Sequence, residues 1–305
     1  MSFTAFLLVL ISVLLHAAWH AICKSQNPFL AFYILISFSG IVLMTPFALC
    51  SGVELSNLPL RFWVTVAAGG ICGALCDVGL SFAYRLSNVS LAYPLARALP
   101  VILTAVVAEI AYSFFGSGTS LGTMGFISVF VIFIGCMLMP LDNFRNVHIS
   151  DYLANKALPW ILLAALGTTG YTVADKFGVD LIHLYGNESN EILATYTYCI
   201  VRELILFFLL VLSVCLLPHE RIHLNFALLK RWQGYLSGVF ASTAYLLVLY
   251  AMALVTNVSY IQAFRQMSLP VGVVIGVFIL KEKFSLPKLI GLLLILAGLI
   301  ALSIK

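Results

Sequence analysis

Apolar residues occupy almost the whole chain in blocks of roughly 20, the length one helix needs to cross a hydrocarbon core, and polar segments only punctuate them. Membrane barrel strands would instead alternate polar and apolar positions. Reading the blocks against turn signals predicts ten helices, near 2–23, 29–49, 62–84, 89–115, 120–139, 157–175, 191–216, 233–253, 257–280 and 286–304. The expected fold is all-α, a polytopic membrane helical bundle of ten transmembrane helices. One long hydrophilic interruption, LDNFRNVHISDYLANK at 141–156, separates a first unit, 1–140, from a second, 157–305, with five helices in each.

Two units of five invite a test for duplication. At an offset of 152 residues, WHAICK (19–24) lies on YTVADK (171–176). At an offset of 169, NVS (88–90) lies on NVS (257–259), and Gly69 and Gly73 lie on Gly238 and Ser242, small residues four apart that let helices approach closely. With an odd number of spans per unit, the second must be inserted upside down. Loop charge agrees with that: Lys24, Arg85, Arg145, Lys156, Arg221, Lys230, Arg231, Lys281, Lys283 and Lys288 follow odd-numbered spans, whereas only Arg61, Lys176 and Lys305 lie on the other side. Positive residues favour the cytoplasm, so 141–156 is expected to be a cytoplasmic linker and both termini non-cytoplasmic.

Composition supports a membrane setting: 62% of the 305 residues are hydrophobic and 9% charged, with mean hydropathy +1.09. The net charge of +4 sits in short loops rather than a basic stripe, which argues against a nucleic-acid partner. Seven scattered cysteines show no zinc-ribbon or disulfide spacing, and the apolar run that starts at Phe3, with no basic residue before it and no small-residue cleavage site, is expected to be retained as the first span rather than cleaved as a signal peptide. No cofactor motif is present, and nothing in the sequence addresses oligomeric state.

Six charged side chains fall inside predicted spans: Asp77, Arg97, Glu109, Arg202, Glu203 and Arg265. Each costs at least about 2.5 kcal/mol at a helix centre and so requires a partner or a wet cavity. Arg202 and Glu203, adjacent in sequence, fit a structural ion pair locking helices together. Arg97 and Arg265 occupy corresponding helices, NVSLAYPLARALP (88–100) and NVSYIQAFRQMSLP (257–270). Inversion would bring them together near the midplane, where two guanidiniums suit a carboxylate, phosphate or phosphonate between them, supplied by a substrate or by the protein itself. Tyr93, Gln262 and Gln266 lie beside them. His16, His20 and Lys24 form one stripe on the first helix with Trp19 alongside, matched in the sixth by Thr168, Thr172 and Lys176. These residues read as a substrate cavity, with Asp77 or Glu109 as candidates for carrying a coupling proton.

Inverted repeats around a midplane site are the plan of many secondary transporters. The expected function is therefore carriage or export of a small polar, anionic metabolite by alternating access, across a bacterial inner or plasma membrane. Rival readings are an intramembrane metal-dependent enzyme built on His16, His20 and Asp77, a flippase of lipid-linked substrates, and a scaffold without transport. The segments LLHAAWHAICK and SLPVGVVIGVFILKEKFSLPKLIGLLLILAGLIAL, with Pro270, Glu282, Gly291 and Gly298, resemble the EamA-like members of the drug/metabolite transporter superfamily. That resemblance implies a ten-helix inverted-repeat fold and the transport of amino acids, nucleotide sugars, phosphorylated sugars or similar metabolites.

Overall fold

The computed structural model describes residues 3–26, 29–86, 89–115, 119–139, 141, 143–144, 156–186, 190–271 and 285–303, with the side chains of all but 21, 24, 25, 89–95, 115 and 303. Among these residues there are helices and no strands. In chain order they are α1 Phe3–Ser25, α2 Leu30–Leu49, α3 Leu60–Leu86, α4 Val89–Phe115, α5 Gly122–Leu138, α6 Leu158–Tyr185, α7 Glu191–Leu216, α8 Trp232–Ala253, α9 Val258–Phe264 and α10 Leu286–Ser303. Two one-turn helices, Pro218–Arg221 and Phe226–Leu229, lie between α7 and α8. Among the described residues six helices, α1 to α4, α7 and α8, are long and apolar enough to cross a membrane by length and composition. Most of the predicted linker, and residues 272–280 of the span expected at 257–280, lie outside the described residues.

The helices pair as α1 with α8, α3 with α6, α2 with α7 and α5 with α10. Exchanging α1–α5 with α6–α10 turns the first of these pairs into the second and returns the other two to themselves. On the outer surface, Leu204, Phe208, Leu212 and Leu216 of α7 form an exposed stripe one residue in four, a face that lipid would cover.

Small residues set the closest contacts. A Cβ at Gly167 of α6 would lie 2.6 Å from the Cys72 carbonyl oxygen of α3, and one at Gly135 of α5 would lie 2.8 Å from the Gly291 carbonyl oxygen of α10. Backbone cannot retreat as a side-chain tip can. Gly167→Leu should therefore destabilise the bundle by about 1–3 kcal/mol or more, seen as a lower unfolding temperature of the purified protein; an unchanged temperature would mean that α3 and α6 do not touch there. At Gly73 the neighbour is different: its Cβ would meet Arg202 Nη2 at 2.6 Å, so this glycine makes room for a buried guanidinium as well as for a helix.

Two elements differ from the sequence expectation. α6 continues ten residues beyond the apolar block that ended at 175, because Lys176 and Asp180, one turn apart, pair at 2.6 Å and carry the helix on. The ninth predicted span is not one α-helix: after α9 the chain tightens into a 3₁₀ turn at Arg265–Met267. Gln266 Nε2 donates to the Gln262 carbonyl at 3.1 Å, the oxygen an α-helix would give to the Gln266 backbone N–H, and Pro270 has no N–H to offer the carbonyl of Gln266.

Candidate functional site

A cavity of about 130 Å³ lies at the centre of the bundle. By the space one water occupies it holds on the order of ten waters, which suits a small metabolite. One wall comes from α1, α4 and the α9 region. Arg97 Nη2 donates to the carbonyl oxygen of Arg265 at 3.0 Å and to Ser268 Oγ, while Arg97 Nη1 donates to His16 Nε2 at 2.8 Å. The 3₁₀ turn carries the Arg265 carbonyl into Arg97's reach, so the break in the helix and the meeting of the two arginines are one feature. Arg265 itself is 5% exposed, lines the cavity, and donates to Gln262 Oε1 at 3.4 Å. Among the described residues no carboxylate forms an ion pair with it.

The histidines extend this wall. Trp19 Nε1 donates to His16 Nδ1 at 3.0 Å, and Trp19 stacks on His20 with centroids 3.7 Å apart. His20 Nε2 lies 3.0 Å from His16 Nε2, and Tyr84 Oη 3.5 Å from His20 Nδ1. A neutral imidazole has one acceptor nitrogen, yet N–H donors from Trp19 and Arg97 approach both nitrogens of His16. This wall therefore offers more donors than His16 has lone pairs to receive.

The facing wall is ionic and rests on α3, α6 and α7. Arg202 lies with its Nη1 3.2 Å from Glu203 Oε2 and its Nε 3.7 Å from Asp175 Oδ1, and the rings of Tyr171 and Tyr245 cover it at 5.2 and 4.6 Å. Ser37 Oγ of α2 donates to Glu203 Oε1 at 2.7 Å, and Tyr198 Oη donates to Asp175 Oδ1 at 2.6 Å. Arg202 and Glu203 thus link α7 to α6 and α2 and also bond one another. Asp77 of α3, Arg202 and Glu203 all line the cavity.

These contacts gather His16, Trp19, His20, Arg97, Gln262, Arg265 and Asp77 around one space. Two sequence candidates fall elsewhere, and a third lies outside the described side chains. Glu109 accepts from Ser120 Oγ at 2.7 Å and from the Leu121 N–H at 2.9 Å, holding the turn before α5. Gln266 is turned from the cavity towards α5, where Cys136 Sγ lies 4.0 Å from its Oε1. Tyr93 is on α4, and its side chain lies outside the described residues. Among the described residues no group of three His, Cys, Asp or Glu is placed to hold a metal ion.

The family model described as sugar transport protein matches residues 36–305. The chain belongs to the sugar transport protein family. It is accordingly a multi-pass membrane protein of a transporter family, with a small-molecule substrate. A protein of known crystal structure shares the fold, with TM-score 0.70 and 15% identity over 100% of this chain and 98% of its own. No curated protein matches the chain. The matching model is the sugar transport one, which bears out the transporter class implied by the sequence resemblance in its broader sense.

Two residues of this family member escaped sequence reasoning. Asp175, 0% exposed, ended a predicted span beside Lys176 and looked like a boundary charge. Glu220, 1% exposed, lies in a polar connection yet pairs with Arg85 at 2.6 Å and accepts from the Leu30 N–H at 2.9 Å. A lone HERIH segment (219–223) carries no periodicity that would reveal either contact.

Proposed function

We propose that this sugar transport family member is a secondary transporter that binds a small polar anion between Arg97 and Arg265 and carries it by alternating access of the two five-helix units. The observation that carries the reading is the buried guanidinium of Arg265, facing a cavity and paired with no carboxylate among the described residues, beside an arginine anchored on the Arg265 carbonyl. A charge so placed in a membrane bundle calls for a counter-ion. The surplus of N–H donors around His16 favours an acceptor-rich group, and the EamA-like sequence features accord with phosphorylated or acidic metabolites. Asp77, facing the same space, is the proton-coupling candidate.

The test compares glucose with glucose 6-phosphate and with organic acids, first by thermal stabilisation and then by uptake into proteoliposomes. The anions should stabilise the protein and neutral glucose should not. Arg265→Gln should weaken anion binding by about a hundredfold, the loss expected when a desolvated charge pair is broken. Equal stabilisation by glucose and its phosphate would refute the anionic reading.

A further inference from the structure

The cavity has two poles of opposite chemical character. On the Arg97 and Arg265 side, donors outnumber the acceptor nitrogen of His16. On the other side the balance reverses: two carboxylates, Asp175 and Glu203, pair with one cation, Arg202, while a third, Asp77, lines the cavity and forms no ion pair among the described residues. Asp175 is 0% exposed and its Oδ2 has no hydrogen-bond partner among the described residues. The guanidinium of Arg202 is capped by the rings of Tyr171 and Tyr245, which also line the cavity, so its bonding is directed to the flanking acids. Asp77 and Glu203, however, both reach the cavity itself. Among the described residues one pole thus carries an excess of positive charge and the other an excess of negative charge, within one space sized for a small metabolite.

From this we infer that the substrate is a zwitterion, with an acidic group held at Arg97 and Arg265 and a protonated amine held at Asp77 and Glu203. The inference rests on the anionic reading above and adds the second half of the molecule. An ammonium donates three hydrogen bonds and suits carboxylate acceptors, while the aromatic walls of Tyr171, Tyr245 and Trp19 would cover the carbon skeleton between the charges. A proton and the substrate amine would compete for the same carboxylate, so an amine-bearing substrate would displace the coupling proton when it binds.

Matched compounds separate the two halves. The first set is glucose, glucose 6-phosphate, glucosamine and glucosamine 6-phosphate; the second sets short straight-chain ω-amino acids against the unsubstituted acids of the same length. Dissociation constants are read from thermal stabilisation of the intact purified protein. At least one compound carrying both charges should bind about tenfold or more tightly than its partner lacking the amine, the effect of a charge-assisted hydrogen bond. Asp77→Asn or Glu203→Gln should abolish that amine increment and leave the increment from the acidic group. If the acids bind and amines add nothing at any spacing, or if the increment survives in both variants, the zwitterion inference is overturned and the anionic reading stands. If acidic groups themselves add nothing, both fail. The wild-type comparison decides the matter even where a variant does not fold.

Discussion

Replacing Arg202 with methionine should lower stability by about 3–5 kcal/mol, the cost of removing one partner from a buried ion pair. The side chain is 5% exposed, and its loss would leave Asp175, which is fully buried, and Glu203 without their shared cation. Methionine fills much of the same volume, so the effect would be electrostatic rather than a cavity. Two further variants establish this. Asp175→Asn in the Arg202→Met background removes one orphaned charge and should recover part of the loss, while Asp175→Asn alone should cost less than Arg202→Met. Thermal unfolding of the purified protein reports all three. An Arg202→Met protein as stable as the parent would mean that the carboxylates are neutral without it and that the cluster is no lock.

Arg97 and Arg265 were legible in the sequence because a charge in an apolar block has few explanations, and the NVS offset placed them in corresponding helices. Their exact junction was not legible. It depends on the 3₁₀ turn at 265–267, where a glutamine side chain displaces its own backbone N–H, and helical periodicity assumes that no such exchange occurs. The same turn explains Gln266, which shares a face with Gln262 on an ideal helix but points towards Cys136 here. Asp175 was hidden for a different reason. Hydropathy marks the end of an apolar block, whereas α6 continues to 185 by pairing Lys176 with Asp180, so a buried acid passed for a boundary residue. Glu109 shows the converse, an acid inside a predicted span whose bonds serve a turn. The helix pairing is read from the structure and is consistent with an exchange of the two five-helix units, and which carboxylate meets which arginine is set by rotamers and close approaches such as Gly73.

Replacing Arg85 with methionine should open the end of the bundle where α2 begins and α3 ends. Three segments meet there through one carboxylate: Glu220, from the connection after α7, pairs with Arg85 at 2.6 Å and accepts from the first N–H of α2 at 2.9 Å. Arg85 is held over the rings of Phe29 and Phe82 at 4.9 and 4.5 Å, and Phe29 stacks on His223 with centroids 3.5 Å apart. Glu220 is 1% exposed, whereas the Arg85 side chain is 21% exposed, so water already screens part of the attraction. Losing the arginine should then shift the balance between closed and open ends by about 2 kcal/mol, or roughly thirtyfold, less than the full cost of orphaning a deeply buried acid. Cys23, fully buried in the last turns of α1 at the same end, provides the readout. In a background without the other cysteines its alkylation by a water-soluble maleimide should accelerate by that factor in Arg85→Met. Glu220→Gln, which keeps an acceptor for the Leu30 N–H, should give a smaller acceleration. Equal labelling of Cys23 in the parent and in Arg85→Met would show that the ion pair does not hold this end closed. Acceleration in Arg85→Met with none in Glu220→Gln would assign the closure to the aromatic stack rather than to the charge.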